Sequence, residues 1–148
     1  MPSPRKRALA LLRRRDFEGA ERELTALLLD HPDDRAFLLN KRGVARVGMK
    51  RLELAREDFT AALACAANYP PALTNLGNLL LEAGQNEAAI ARYEAAIRAN
   101  PDYAAAHLNL GVAYKRAGRI DEAVRSLRRA QRLDRTSALG FLRRRPPW

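Results

Sequence analysis

Two asparagines occupy the same place in a repeated tripeptide, Asn-Leu-Gly. They are Asn75 and Asn109, which lie 34 residues apart. An asparagine amide offers hydrogen-bond donors and an acceptor together, so it can hold the backbone of a bound peptide without reading that peptide's sequence. The same amides could instead bond a neighbouring helix or water. Two interpretations therefore stand, a ligand-binding ladder and a set of structural hydrogen bonds.

Side chains that could catalyse a reaction or hold a metal do not cluster along this sequence. The chain has one cysteine, Cys65, and two histidines, His31 and His107, which are far apart. A zinc site needs several close Cys or His ligands. No glycine-rich phosphate loop and no Ser-His-Asp arrangement is found either. The sequence therefore predicts no enzyme activity, no metal and no cofactor.

The composition is that of a folded helical protein. Hydrophobic residues make up 47% of the chain, charged residues 30% and aromatic residues 6%. The abundant Ala, Leu and Arg favour helix because unbranched side chains lose little rotamer freedom there. The early apolar run, residues 8–12, is shorter than the core of a signal peptide, and no stretch is long enough to span a bilayer. We expect a cytoplasmic protein without membrane association.

The spacing of the two asparagines belongs to a longer repeat. The same step of 34 residues relates several small or aromatic positions: Gly77 and Gly111, Gly84 and Gly118, Ala89 and Ala123, Ala96 and Ala130, Tyr69 and Tyr103. In the other direction a step of 34 leads from Gly77 to Gly43 and from Ala89 to Ala55, and a further step of 35 leads from Ala55 to Ala20. Self-similarity of this period is typical of solenoids. It predicts four repeats, at 1–35, 36–69, 70–103 and 104–137.

Each repeat has the pattern of two helices. In the third, leucines spaced for one helical face precede Gly84, and a second apolar stripe runs from Ala89 to Ile97. The short turn at Gly84 predicts an antiparallel hairpin, and stacking of hairpins buries their apolar faces. We expect Gly77 and Gly111 to let neighbouring helix backbones approach closely.

The pattern resembles the tetratricopeptide repeat family. The residues that carry the resemblance are Leu76, Gly77, Leu80, Gly84, Ala89, Tyr93, Ala96 and Pro101. The second repeat departs from it, because Arg42 and Arg46 stand where the third has Leu76 and Leu80. The resemblance implies an all-α, right-handed superhelical solenoid of about four hairpins over residues 1–137. A partial capping helix and a basic tail would follow over residues 138–148.

The same resemblance implies a scaffold or adaptor that binds a peptide segment or a helix of a partner protein. In this family the first helices of the hairpins line the concave groove that holds the partner. The predicted contact residues are the polar first-helix positions Asn40, Lys41, Asn75, Asn78, Asn109, Lys115 and Arg116. Thr74 and Leu81 are expected on the same surface.

The net charge of +10 lies at the two ends of the chain. Residues 1–15 carry six basic groups and no acidic one, and residues 115–148 carry eleven basic groups and three acidic ones. Three interpretations stand: an arginine-rich composition with solvated side chains, attraction of an acidic protein partner, and nucleic-acid binding. Aromatic residues are not interleaved with the basic ones for base stacking. An acidic protein is therefore the favoured partner, and a basic nucleic-acid-associated accessory protein is the alternative.

Overall fold

The computed structural model describes the backbone of residues 1–142 and the side chains of residues 1–136. Within that range it consists of eight α-helices and a short 3-10 turn, Pro32–Asp34, and contains no strand. The helices are α1 (Pro4–Arg13), α2 (Phe17–Asp30), α3 (Arg35–Gly48), α4 (Leu52–Cys65), α5 (Pro70–Glu82), α6 (Asn86–Ala99), α7 (Ala104–Arg116) and α8 (Ile120–Leu142). None of these eight helices combines the length and the apolar character that crossing a lipid bilayer requires.

The helices form four hairpins, one in each predicted repeat. The two helices of a hairpin are joined by a turn of three residues, at 14–16, 49–51, 83–85 and 117–119. Turns of this length place consecutive helices side by side and antiparallel. The all-helical hairpin fold predicted from the sequence is thus confirmed. The chain divides into an N-terminal body, Met1–Leu76, and a C-terminal body that begins at Gly77, so the boundary falls inside α5.

All four hairpin turns use the same backbone geometry. In each, one residue has a positive φ: Arg15 (63°), Lys50 (60°), Gly84 (76°) and Gly118 (76°). The residue after it donates its N–H to the carbonyl five positions earlier, over 2.8–3.0 Å. This is the Schellman ending of a helix, in which glycine is preferred because a Cβ is strained at positive φ. The turns at Arg15 and Lys50 therefore carry a backbone strain that the turns at Gly84 and Gly118 avoid.

We expect Lys50→Gly to stabilise the protein by about 1 kcal/mol, because it removes the left-handed strain of a Cβ. The Lys50 side chain is exposed and makes no hydrogen bond or ion pair with a described residue, so little else is lost. Urea unfolding followed by circular dichroism measures the effect. Lys50→Ala is the matched control, because it shortens the side chain and keeps the Cβ. Equal stabilisation by both substitutions would contradict the explanation.

Three first-helix glycines, Gly43, Gly77 and Gly111, make room for side chains. A Cβ added at these positions would meet side-chain atoms of the second helix of the same hairpin at 2.5–2.6 Å. The pairs are Gly43 with Phe59, Gly77 with Tyr93, and Gly111 with Leu127. At Gly111 a backbone atom also comes near, the Ala123 carbonyl oxygen at 3.3 Å. Glycine at positions 43 and 77 thus leaves space for the rings of Phe59 and Tyr93, and we call such a space a socket.

A cluster of charged side chains lies in the N-terminal body. It is built around Arg42 and Arg46, which stand where the third repeat has leucines. Both Asp58 oxygens accept bonds from Arg42, at 2.7 and 3.0 Å, and Oδ2 also lies 3.0 Å from Nη1 of Arg46. Nε of Arg46 donates to Glu21 at 2.8 Å, and Arg51 reaches the other oxygen of Glu21 at 2.9 Å. The Asp58 side chain is only 3% exposed. We call this group the arginine cluster; it joins α2, α3 and α4.

The last helix is longer than predicted. α8 continues without a break from Ile120 to Leu142. Residues 138–142 are therefore its C-terminal turns, not a separate capping helix, because nothing in the backbone interrupts the helix after Thr136. The rest of the predicted cap and basic tail, residues 143–148, lies outside the described residues.

Candidate protein-binding surface

In the C-terminal body, two of the predicted asparagines bond to each other across neighbouring first helices. Nδ2 of Asn109 on α7 donates to Oδ1 of Asn78 on α5 at 2.9 Å. The same Oδ1 accepts a bond from the Tyr93 hydroxyl at 2.7 Å. An amide has two donors and a carbonyl oxygen. Asn109 is half-buried and, in the described part of the chain, its carbonyl oxygen and second N–H have no partner.

The Tyr93 hydroxyl keeps its proton at neutral pH and so remains a donor to Asn78. Burial raises the pKa of Tyr93 to about 12, an effect that Arg116 opposes and Glu82 reinforces. The Tyr93 hydroxyl and the Asn109 amide both donate to the Asn78 carbonyl oxygen, and these two bonds hold the side chains of Asn78 and Asn109 in place. The ring that fills the socket at Gly77 thus also positions the polar pair.

Basic side chains lie one to two turns further along α7. Nη1 of Arg116 donates to the Leu81 carbonyl at 3.2 Å, and Nη2 lies 3.6 Å from Glu82. The Lys115 side chain is exposed and has no hydrogen bond or ion pair with a described residue. Asn78, Asn109, Lys115 and Arg116 together are called the C-terminal patch. It joins an oriented amide to two cations, one of them tied to the backbone of α5.

In the N-terminal body, Nδ2 of Asn75 on α5 donates to Oδ1 of Asn40 on α3 at 2.9 Å. Asn40 is only 2% exposed, so the prediction that it contacts a partner is wrong. Burial between α3 and its neighbours makes Asn40 an internal acceptor that holds the amide of Asn75. Asn75 is half-buried and stays accessible in part. The structural interpretation of the asparagines therefore holds for Asn40.

The side chain of Lys41 lies beside the ring of Phe37. Its ammonium lies 5.5 Å from the centroid of the Phe37 ring, and the guanidinium of Arg5 lies 4.1 Å from the same centroid. Arg5 also pairs with Asp34 at 2.7 Å. Cations at these distances are attracted to the ring face. Arg5, Phe37, Lys41 and Asn75 are called the N-terminal patch.

Two other expected surface residues are buried. Thr74 is 3% exposed and its hydroxyl has no hydrogen-bond partner among the described residues, and Leu81 packs in the core of the C-terminal body. Both lie on the inner edge of the α5 face, where a small shift in helix rotation decides between core and surface. Helical periodicity leaves such edge positions undetermined.

Tyr114 on α7 contacts charged side chains from α6 and from the turn before α8. The Tyr114 hydroxyl donates to Glu94 at 2.8 Å, and Arg119 lies 4.6 Å from the ring centroid. Burial, and then the bond to Glu94, raises the pKa of Tyr114 to about 12. Arg119 makes two bonds of 2.6 Å to Glu122, which raise the pKa of Arg119 and lower that of Glu122. These contacts fix α7 against its neighbours and leave the C-terminal patch on its other side.

The hairpin architecture and the glycine sockets recur along the chain. A family model described as Tetratricopeptide repeat matches residues 5–70 and again residues 74–138. The chain belongs to the tetratricopeptide repeat family. Repeats of this family are protein-interaction modules, and its members are typically scaffolds rather than enzymes. Membership places the chain among protein-binding scaffolds.

Solved structures agree with this family. A fragment of MamA from Desulfovibrio magneticus RS-1 superposes with a TM-score of 0.70 at 27% identity, over 88% of this chain and 73% of that one. PilF from Pseudomonas aeruginosa gives a TM-score of 0.78 at 25% identity, over 88% of this chain and 59% of that one. A tetratricopeptide repeat protein from Parabacteroides merdae, at 22% identity and a TM-score of 0.69, shows the fold alone. This chain covers only 49% of it. Tetratricopeptide repeats of this length are thus found within larger proteins.

Proposed function

We propose that this tetratricopeptide repeat protein is a scaffold or adaptor that holds an extended segment or a helix of a partner protein against its first helices. The observation that carries the proposal is the C-terminal patch. There Asn109 is fixed by Asn78 yet keeps a donor and an acceptor for a ligand backbone. Fixed amides bind a peptide with little loss of side-chain entropy, which favours affinity.

An acidic segment suits both patches. The C-terminal patch presents Lys115 and Arg116 against one carboxylate, Glu82. The N-terminal patch presents Arg5 and Lys41 against one carboxylate, Asp34. Opposite charge speeds association and excludes basic partners. The proposed ligand is therefore a peptide with Asp or Glu near its anchoring backbone.

The test compares capture by variants that leave the fold intact. We expect the double variant Asn109→Ala/Lys115→Glu to reduce capture of the wild-type partner from lysate by about tenfold, because it removes a backbone contact and reverses a charge. Quantitative mass spectrometry of affinity eluates measures it, and the purified partner then confirms the loss. Arg92→Glu is the matched control: it reverses an exposed charge on α6, a second helix of the same body.

The choice of Asn109 matters for this test. Asn109→Ala leaves Asn78 bonded to Tyr93, so no buried oxygen is stranded. Asn75→Ala would leave the buried oxygen of Asn40 without a donor and would confound binding with stability. Capture that is equal for wild type and the double variant would refute the C-terminal patch. Binding of single-stranded RNA or duplex DNA that weakens steeply with salt would instead favour the nucleic-acid alternative.

A further inference from the structure

A cleft lies between α7 and α8 of the C-terminal body. It has a volume of about 680 Å³ and is lined mainly by apolar side chains, with Arg128 and Asp134 at its edge. Leu108 from α7 and Val124 from α8 form part of its floor, and they are 50% and 39% exposed. We call it the end cleft. It lies apart from the C-terminal patch residues, none of which lines it.

The repeat explains why these apolar side chains are uncovered. One repeat earlier, the positions of Leu108 and Val124 are held by Thr74 and Ile90, each only 3% exposed. Ile90 on α6 packs in a core cluster with Leu110 and Tyr114 of α7, the next first helix. α8 has no such follower in the described chain, because residues 138–142 continue α8. The end cleft is therefore the position that a following first helix would fill.

The positive charge of α8 determines which kind of helix can occupy the end cleft. Arg125, Arg128, Arg132 and Arg135 are exposed and make no ion pair with a described residue. Arg128 lines the cleft, and Arg135 lies two turns further along the same face of the helix. A second copy joined through the same cleft would bring these arginines together. Docking of α1 would do the same, since α1 carries four basic residues and no acid. Like charges in apposition are costly.

We propose that the end cleft binds an amphipathic helix of a partner protein, with apolar side chains on Leu108 and Val124 and acidic side chains on Arg128 and Arg135. The bound helix takes the place of the first helix of a fifth hairpin. Helix-in-groove recognition of this kind uses apolar anchors one helical turn apart, which the cleft can accept because it is elongated along α8 from Val124 to Asp134. The inference is independent of the proposed function of the two patches.

The test uses a fluorescein-labelled peptide of about 18 residues, with leucines at i, i+3, i+4 and i+7 and glutamates flanking them. The control peptide has lysines in place of the glutamates. Fluorescence anisotropy with the full chain measures the dissociation constants. We expect the glutamate peptide to bind at least roughly tenfold more tightly than the lysine peptide. Equal affinities would overturn the proposal.

Variants locate the peptide on the surface. Val124→Glu and Arg128→Glu should each weaken the glutamate peptide by about tenfold, and Arg128→Glu should strengthen the lysine peptide. Leu54→Glu is the matched control, because Leu54 is also 39% exposed but lies on α4 in the N-terminal body. The Asn109→Ala/Lys115→Glu variant should bind the peptide normally. If that variant alone lost the peptide, the binding site would be the C-terminal patch and the end cleft would be refuted.

Two further measurements test the other occupants. Sedimentation velocity that shows a dimer abolished by Val124→Glu would assign the cleft to a second copy and overturn the proposal. Deletion of residues 143–148 should leave peptide affinity unchanged. A tenfold gain in affinity after that deletion would mean that the chain's own tail competes for the cleft, and would overturn the proposal as well.

Discussion

Replacing Asp58 by alanine is expected to lower the free energy of unfolding by about 3–5 kcal/mol, because it leaves buried positive charge without its partner. Asp58 accepts two bonds from Arg42 and one ionic contact from Arg46, and both arginines are largely buried. Arg46 keeps Glu21, but Arg42 then has no carboxylate within reach. Urea unfolding followed by circular dichroism measures the loss.

The control for Asp58→Ala is another carboxylate on α4. Glu53 lies 3.7 Å from Arg56 and both are exposed, so Glu53→Ala should change stability by less than about 0.5 kcal/mol. The double variant Asp58→Leu/Arg42→Leu should recover much of the loss, since an apolar pair can replace a buried ion pair at little cost. A loss for Asp58→Ala no larger than that for Glu53→Ala would show that the arginine cluster contributes little.

The second large effect is expected at Gly43, where the stability change caused by an alanine substitution should reverse its sign once Phe59 is removed. Phe59→Ala should cost about 3–5 kcal/mol, because it empties the space of a ring that is buried in the N-terminal body. Gly43→Ala alone should cost about 1–3 kcal/mol, since the new methyl group would lie 2.5 Å from that ring. In the Phe59→Ala background the clash is gone, and Gly43→Ala should instead stabilise the helix by up to about 1 kcal/mol.

Thermal and urea unfolding of the four proteins of this double-mutant cycle measure the coupling. Gly84→Ala is the comparison outside any socket, because no atom lies within 4 Å of an added Cβ there and its cost comes from positive φ alone. That cost should be the same with and without Phe59. If Gly43→Ala destabilises both backgrounds equally, the ring does not determine the need for glycine.

The helices and their pairing follow from the sequence because they depend on local signals repeated four times. Gly84 and Gly118 mark turns by their positive φ, and steps of 34 and then 35 residues transfer those turns to Lys50 and Arg15, where no glycine stands. The position of each socket also follows from the step. Which side chain fills each socket does not follow from the step, because the periodicity of one helix does not give the axial position of the helix packed against it.

The polar contacts were less predictable than the fold. The departure of Arg42 and Arg46 from the leucines of the third repeat was visible in the sequence, but their partners Glu21 and Asp58 come from two other helices. Asn40 shows the same limit, because a polar residue at the edge of a helical face can be internal when a neighbouring amide meets it. Lys115 and Arg116 are accessible to solvent, and their role in binding stays a proposal.

The arginine cluster has a consequence for the order of the hairpins. Its cations belong to the second hairpin and one of its anions, Glu21, to the first, so these two hairpins form a matched pair rather than interchangeable modules. A copy of the second hairpin moved elsewhere in the array would carry Arg46 and Arg51 without Glu21, the carboxylate that accepts a bond from each of them. A rearrangement of the array that separated the second hairpin from the first would therefore break these ion pairs, and the two hairpins are expected to move together.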